Sequence, residues 1–139
     1  MRIGFMLAAA GLACAAPLAG QATYETEDAS GLVGHWTGTI EEPESEVPHY
    51  TLSVHIDTDE HGHPVGVVHY AALPCTGVWS DGVRDGADWR FSETITEAGT
   101  RCAKHVIVVL TPDGDGYEVR LWQDGFAHLV SRGRLSRQP

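Results

Sequence analysis

The chain contains few basic residues and distributes them unevenly. It has 9 Lys and Arg against 19 Asp and Glu, which gives a formal net charge of −10 with histidine neutral. No Lys or Arg occurs between Thr23 and Val83. Because an acidic surface repels phosphate backbones and anionic lipid headgroups, this balance argues against nucleic acid or a membrane surface as a partner. We expect the partner to be a small molecule or another exported protein.

The sequence also lacks any motif that is typical of an enzyme. Ser80, Ser92 and Ser131 have no nucleophile-elbow context. Asp, His and Ser are all present, but composition alone does not make a catalytic triad. We therefore predict a protein that is not an enzyme and that requires no cofactor.

Histidine is abundant, with eight residues, yet its spacing matches no zinc motif. His55 and His69 would face solvent on neighbouring predicted strands, close to Asp57, and these side chains would offer ligands for zinc. The alternative is a set of exposed histidines with no metal between them. We favour the alternative and predict no metal site.

The N-terminal segment has the features of a secretory signal peptide. A positive start at Arg2 is followed by an uncharged apolar run over 3–19, and small residues at 20–22 suit a signal peptidase. The run is a little short to span a membrane. We predict a signal peptide over 1–22 and a periplasmic or secreted protein without membrane insertion after cleavage. The alternative is a lipoprotein anchored through Cys14.

Cysteine is scarce, with three residues in the chain. Once the signal peptide is removed, Cys75 and Cys102 remain, and an even pair in a small exported domain is typical of a disulfide. The bridge would close a loop of 27 residues. On the chain-entropy model such a loop stabilises the folded state by about 3.5 kcal/mol.

No segment after the signal peptide shows a helical period, whereas alternation of apolar and polar residues is frequent. The alternation predicts eight strands, over 32–40, 50–56, 65–71, 75–80, 89–95, 105–110, 117–121 and 126–135. Short turn sequences separate them, among them Ser80-Asp81-Gly82 and Asp124-Gly125.

Short connections favour antiparallel neighbours. Eight such strands closing on themselves predict an all-β fold, a single up-and-down barrel without exposed sheet edges. A two-sheet β-sandwich is the alternative, since strand count does not separate the two. We place the barrel domain at 32–137 and a flexible leader at 23–31.

The first predicted strand carries Gly34-His35-Trp36, which resembles the Gly-x-Trp signature of calycin-type barrels, the group of lipocalins and avidins. In that group the tryptophan closes one barrel end and an arginine from the last strand packs across it. The resemblance implies a calycin-like barrel in which Arg132 or Arg134 plays that part.

A longer pattern includes Gly34-x-Trp36-x-Gly38-Thr39, Leu73-Pro74-Cys75-x-Gly77 and the segment from Phe91 to Cys102. In this order it is similar to uncharacterised exported modules found on some bacterial receptor-type serine/threonine kinases. The resemblance implies a Cys75–Cys102 pair and a bacterial source. It implies no chemistry.

Glu93 is the most informative single position. Alternation places it on the inner strand face with Trp89, where a carboxylate needs a partner or must be neutral. One interpretation is a ligand contact in the barrel mouth, with Tyr70, Trp89 and Glu93 as contacts for a small apolar or amphipathic molecule. The other is structural: either an arginine pairs with Glu93 or a bulge turns it outward, and the aromatic residues only fill the core.

Our first functional hypothesis is a non-enzymatic binder of such a molecule. The alternative is a periplasmic inhibitor or interaction protein that targets a protease or lysozyme. The segment 32–36 looks like the opening of small barrel inhibitors of bacterial metalloproteases, in which an N-terminal leader enters the enzyme cleft. Residues 23–31 would then be the inserting segment.

Overall fold

Eight antiparallel strands form the molecule. The computed structural model describes residues 28–73, 75–97 and 102–139. The predicted signal peptide, with Cys14, lies outside the described residues, as do the first five residues of the predicted leader. Within the described ranges, no helix is long and apolar enough to cross a membrane.

The strands follow one another around a closed sheet. They are β1 (Gly34–Glu41), β2 (His49–Thr58), β3 (Pro64–Ala71), β4 (Cys75–Asp85), β5 (Asp88–Glu97), β6 (His105–Asp113), β7 (Gly116–Gln123) and β8 (His128–Arg137). Each strand pairs antiparallel with the next, and β1 pairs with β8. The predicted all-β, eight-strand, up-and-down barrel is confirmed. Closure through the β1–β8 pair excludes the β-sandwich.

The alternation seen in the sequence separates the interior from the surface. On β2, the buried residues are every second one: Tyr50, Leu52, Val54 and Ile56. Their neighbours on the same strand point toward solvent, because successive side chains of a strand point to opposite faces. Trp79 and Phe91 are among the largest side chains that are fully buried, so much of the barrel interior is filled by side chains.

Two glycines allow the barrel to close. A Cβ atom at Gly38 of β1 would overlap the backbone carbonyl of Arg134 on β8. A Cβ atom at Gly133 of β8 would overlap the carbonyl of Thr39. The absence of a side chain at both positions therefore permits the close approach of the first and last strands.

The predicted turn at Ser80-Asp81-Gly82 is wrong. β4 continues through these residues to Asp85, with a shift in its register against β5 between Ser80 and Val83. Asp81 adopts a φ of 55°, which is the conformation that the turn residues suggested. Here that conformation forms a bulge instead of a reversal, because both sides of the bulge stay paired with β5. The chain reverses later, at Gly86.

The two ends of the barrel differ in the length of their connections. The "tight-turn end" carries the connections 59–63, 86–87 and 114–115, together with residues 28–33 that lead into β1. The "chamber end" carries the connections 42–48, 72–74, 98–104 and 124–127. Longer connections predominate at the chamber end.

A tryptophan closes the tight-turn end, as the calycin resemblance implies. Trp36 is 3% exposed, and its indole N–H donates to the carbonyl of Leu32 at 2.8 Å. The arginine across it is Arg137, whose guanidinium carbon lies 4.3 Å from the ring centroid. Arg137 also donates to the backbone carbonyls of Gly31 and Val33.

The choice of Arg132 or Arg134 for this part is therefore wrong. Arg134 is held by Asp113 and Asp115, and Arg132 lies opposite Glu41 in the β1–β8 pair. Both arginines are exposed. The last strand runs further than the sequence pattern predicted, and its final residue reaches the tryptophan.

Candidate ligand chamber

A small cavity opens at the chamber end. Its polar lining consists of Glu42, Tyr50, Tyr70, Glu93 and Ser131. Its volume is about 40 Å³. A water molecule needs roughly 10–15 Å³ of such space, so the cavity, which we call the chamber, has room for a few small atoms. Sites that enclose a drug-sized molecule are larger, at about 300–1,000 Å³.

Glu93 lies at the centre of this lining. It occupies an inward position of β5 and is 3% exposed. Its Oε2 atom accepts a hydrogen bond from the Tyr70 hydroxyl of β3 and another, at 2.7 Å, from the indole N–H of Trp79 on β4. The predicted inward direction of Glu93 is thus what the structure shows. Its partners are neutral donors, so the structural interpretation with an arginine partner or an outward bulge does not apply.

Burial shifts the pKa of both groups in the direction of the neutral form. Burial raises the pKa of Glu93 above its usual value, and the hydrogen bonds from Tyr70 and Trp79 oppose that rise. Burial, followed by the charge of Glu93, raises the pKa of Tyr70 well above its usual value. Tyr70 therefore stays a hydroxyl donor at neutral pH, directed at the carboxylate.

A second tyrosine and carboxylate stand beside the first pair. The Tyr50 hydroxyl donates to Glu42 Oε2 at 2.7 Å. The Tyr50 and Tyr70 rings meet edge to face, with centroids 5.6 Å apart. Burial raises the pKa of Tyr50 as well. The lining thus contains two tyrosine–carboxylate pairs that pack against each other.

Ser131 completes the polar lining from β8. It is 2% exposed, and among the residues that the structure describes its Oγ atom has no hydrogen-bond partner. The hydroxyl is close enough to Tyr50 to oppose the rise in that phenol's pKa, although the two hydroxyls form no hydrogen bond of normal geometry. A buried hydroxyl without a partner is uncommon and requires an explanation.

The rest of the chamber wall is apolar. It includes Leu73, Ile95, Ala103 and Cys102. Cys75 and Cys102 lie at disulfide-bonding distance, with Cα atoms 6.5 Å apart, within the usual range of about 4.4–6.8 Å. This pair ties the start of β4 to the connection that borders the chamber. A disulfide here is compatible with an extracellular or periplasmic location.

The structure brings two of the three predicted contacts together. Tyr70 and Glu93 are hydrogen-bonded in the chamber, but Trp89 is elsewhere. Trp89 is buried four residues before Glu93 on β5, about 13 Å along the strand. It packs toward the tight-turn end, where the guanidinium carbon of Arg84 lies 5.6 Å from its ring centroid. Ligand contact by Tyr70 and Glu93 remains a prediction.

Sequence reasoning missed two polar members of the lining. Tyr50 and Trp79 were among the aromatic residues that the sequence offered as pocket or core residues; the first lines the chamber and the second donates to Glu93. Glu42 and Ser131 gave no such signal, because one lies in a connection and the other on a strand whose pattern is broken by the register shift between β7 and β8.

The histidines do not form a metal centre with their neighbours. His55 and His69 are exposed on the outer faces of β2 and β3. His69 Nδ1 lies 3.1 Å from the Thr76 hydroxyl. Across the described part of the chain, no three His, Cys, Asp or Glu residues are grouped closely enough to hold a metal ion.

Comparison with known proteins adds no assignment to this geometry. No protein-family model matches the chain, and no curated protein or solved structure matches it significantly. The functional argument therefore rests on the chamber.

Proposed function

We propose that the protein is a non-enzymatic binding protein that accepts the polar head of a small amphipathic molecule in the chamber. The observation that carries the proposal is Glu93, a carboxyl buried to 3% exposure beside a cavity at the chamber end of the barrel. The volume limits the enclosed part of the ligand to a few heavy atoms. The apolar wall suits the remainder of the molecule.

A buried carboxyl group is an unfavourable choice of side chain for the interior of a barrel. Burying it costs free energy unless hydrogen bonds compensate, and an apolar side chain of similar size avoids that cost. Glu93 is compensated by Tyr70 and Trp79. Ser131, in the same chamber, has no partner among the described residues. A ligand in the chamber would supply the missing hydrogen bond.

The position of the leader favours a binder over an inhibitor. Residues 28–31 are packed against the tight-turn end: Ala29 is 3% exposed and Arg137 donates to the Gly31 carbonyl. An inhibitor that inserts 23–31 into an enzyme would have to break these contacts. No comparable cost attends a ligand that enters the chamber.

The resemblances fit this proposal. A closed eight-strand barrel with Gly34-x-Trp36 at its sealed end supports a calycin-like assignment, and eight-strand barrels can hold one small ligand. Export to the periplasm or medium, as a cleaved protein, is supported by the signal-like segment 1–22 and by the Cys75–Cys102 pair. The similarity to modules on bacterial receptor-type kinases supports a bacterial source.

Two tryptophan indole signals provide a direct test by NMR. The Trp79 N–H donates to Glu93 and reports on the chamber, whereas the Trp36 N–H donates to Leu32 at the opposite end. Titration with small amphipathic probes, beginning with 1-butanol and n-butylamine, is expected to shift the Trp79 signal and leave that of Trp36 in place. Equal shifts of both signals, or none, would count against the proposal.

A matched pair of variants confirms the location. Ala103→Phe places a ring at the chamber wall and is expected to abolish the probe-dependent shift of Trp79. Ala71→Phe makes the same change at an exposed position at the end of β3, outside the chamber, and is expected to retain that shift. Binding that survives Ala103→Phe would place the site elsewhere.

A further inference from the structure

We propose that the chamber selects ligands that carry a protonated amine. This inference rests on the proposed function and specifies the chemical class of its ligand. The argument comes from the direction of the hydrogen bonds around the chamber, from the residue types that line it and from the unpartnered hydroxyl of Ser131.

The tyrosine and tryptophan donors around the chamber are already used, and among the described lining residues the Ser131 hydroxyl keeps a free donor. The Tyr70 hydroxyl and the Trp79 N–H donate to Glu93. The Tyr50 hydroxyl donates to Glu42. A phenol has one proton to donate, so each tyrosine oxygen retains only its capacity to accept. Ionised carboxylates also accept only, so the two pairs, with Glu42 and Glu93 ionised, present acceptors to a ligand.

An ammonium group is the complement of such a lining. It carries three donors and no acceptor. Hydrogen bonds between a charged donor and a carboxylate are about twice as strong as neutral ones. A carboxylate ligand would place its acceptors against those of Glu42 and Glu93, and an alcohol would offer one donor without charge.

The charges around the chamber also favour a cationic ligand. Among the described residues that line it there are two carboxylates, Glu42 and Glu93, and no Lys, Arg or His. Burial raises the pKa of Glu93, and a bound cation would offset that cost by stabilising the ionised carboxylate.

Ser131 supplies the independent observation. It is buried, lines the chamber and has no hydrogen-bond partner in the described part of the chain. Its oxygen can accept one ammonium proton, while Glu93 accepts another. An organic cation suits the site better than Ca²⁺ or Mg²⁺, which take six or more oxygen ligands. The apolar wall at Leu73 and Ile95 suits an alkyl chain attached to the amine.

The test compares three probes that share a four-carbon chain: n-butylamine, 1-butanol and butyrate. At pH 7 we expect n-butylamine to shift the Trp79 indole signal with a dissociation constant at least about tenfold lower than that of 1-butanol, because its contacts are charge-assisted. Butyrate is expected to bind most weakly. Potassium chloride at the same concentration serves as the inorganic cation and is expected to leave the signal unchanged.

Variants connect the preference to the chamber. Glu93→Gln is expected to reduce the affinity for n-butylamine to that for 1-butanol, and Ser131→Ala to reduce it by a smaller factor. Glu60→Gln removes one negative charge from the exposed connection 59–63 at the tight-turn end and is expected to have no effect. An unchanged Trp36 signal verifies that each variant is folded.

The possible results separate the inference from the proposed function. Equal binding of n-butylamine and 1-butanol would preserve a binding chamber and overturn the amine preference. Strongest binding by butyrate, or a shift produced by potassium alone, would overturn it as well. Failure of all three probes to shift Trp79 would overturn both proposals.

Discussion

The two ends of this barrel use polar side chains in opposite ways. At the tight-turn end, the buried indole N–H of Trp36 and the exposed guanidinium of Arg137 both donate to backbone carbonyls, so the polar atoms complete a seal. At the chamber end, Glu93 and Ser131 are as buried as Trp36, but they border a cavity and the serine has no partner in the described residues. One end is arranged for stability, and the other retains hydrogen-bonding capacity.

The connections explain the difference in physical terms. Two-residue connections at 86–87 and 114–115 bring strand ends together and leave little space between them. The seven-residue connection 42–48 begins with Glu42, which accepts a hydrogen bond from Tyr50 at the chamber. A barrel of eight strands fills its interior with side chains or holds one small ligand. Here the filled part and the hollow part occupy opposite ends.

Removing the tryptophan at the tight-turn end is the strongest test of this comparison. Trp36→Ala deletes a buried side chain and the ring beneath Arg137, so the free energy of unfolding should fall by about 3–5 kcal/mol. Urea denaturation followed by circular dichroism measures the loss. Trp122→Ala is the control, because Trp122 is only partly buried on the outer surface. A loss no greater than that of the control would contradict the sealing role.

Opening the disulfide tests the chamber end by the same measurement. The variant Cys75→Ala/Cys102→Ala removes a cross-link between residues separated by 27 positions, and the loss should be about 3.5 kcal/mol. The Trp79 indole signal should also move, since Cys102 borders the chamber. A reducing agent should destabilise the wild type and leave the double variant unaffected. Wild-type stability that is insensitive to reduction would argue against the bridge.

Arg137→Ala should have a smaller effect at the tight-turn end. The substitution removes a cation–π contact and two hydrogen bonds to backbone carbonyls, which together should contribute about 1–2 kcal/mol at this exposed position. Arg134→Ala breaks exposed ion pairs with Asp113 and Asp115 and should cost less, since such pairs contribute little. Thermal unfolding compares the two variants. The reverse order would reinstate Arg134 as the arginine that matters.

The sequence predicted the strands because alternation determines which face of a strand is buried, but it left the barrel and the β-sandwich as alternatives until the β1–β8 pair was seen. The eight strands, their order and the inward direction of Glu93 all follow from that pattern. The alternation does not show where along the barrel axis a residue lies. Trp89 and Glu93 share a face, yet the first belongs to one end and the second to the other.

Two further predictions, the turn at Asp81 and the arginine above Trp36, were wrong because strand pairing determined the structure there. Asp81 adopts the left-handed conformation that its sequence suggests, but β4 remains paired on both sides of it. The arginine above Trp36 was expected at Arg132 or Arg134, earlier on the last strand than Arg137. The end of β8 depends on its pairing with β1, which the local sequence does not show. The Trp36↔Arg137 register is a long-range feature that no short sequence motif contains.

Glu93→Gln gives the smallest and most specific effect. Burial raises the pKa of Glu93 above the value of 4.5 that it has without a protein environment. The folded state therefore holds this proton more tightly than the unfolded state does. The resulting stability is fully present below pH 4.5 and is lost as the pH rises through the folded-state pKa. Glutamine keeps an oxygen for Tyr70 and Trp79 but does not titrate.

The difference in unfolding free energy, wild type minus Glu93→Gln, should consequently decrease as the pH rises from 4 to 8. One proton limits the slope to about 1.4 kcal/mol for each pH unit. Glu60→Gln, at a side chain that is 85% exposed, removes a carboxyl outside the chamber, and its difference curve should be flatter. A difference that grows with pH would mean that hydrogen bonds to the carboxylate outweigh its burial. In that case the chamber end would be stabilised by its charge, as the tight-turn end is stabilised by Arg137, and the contrast between the ends would disappear.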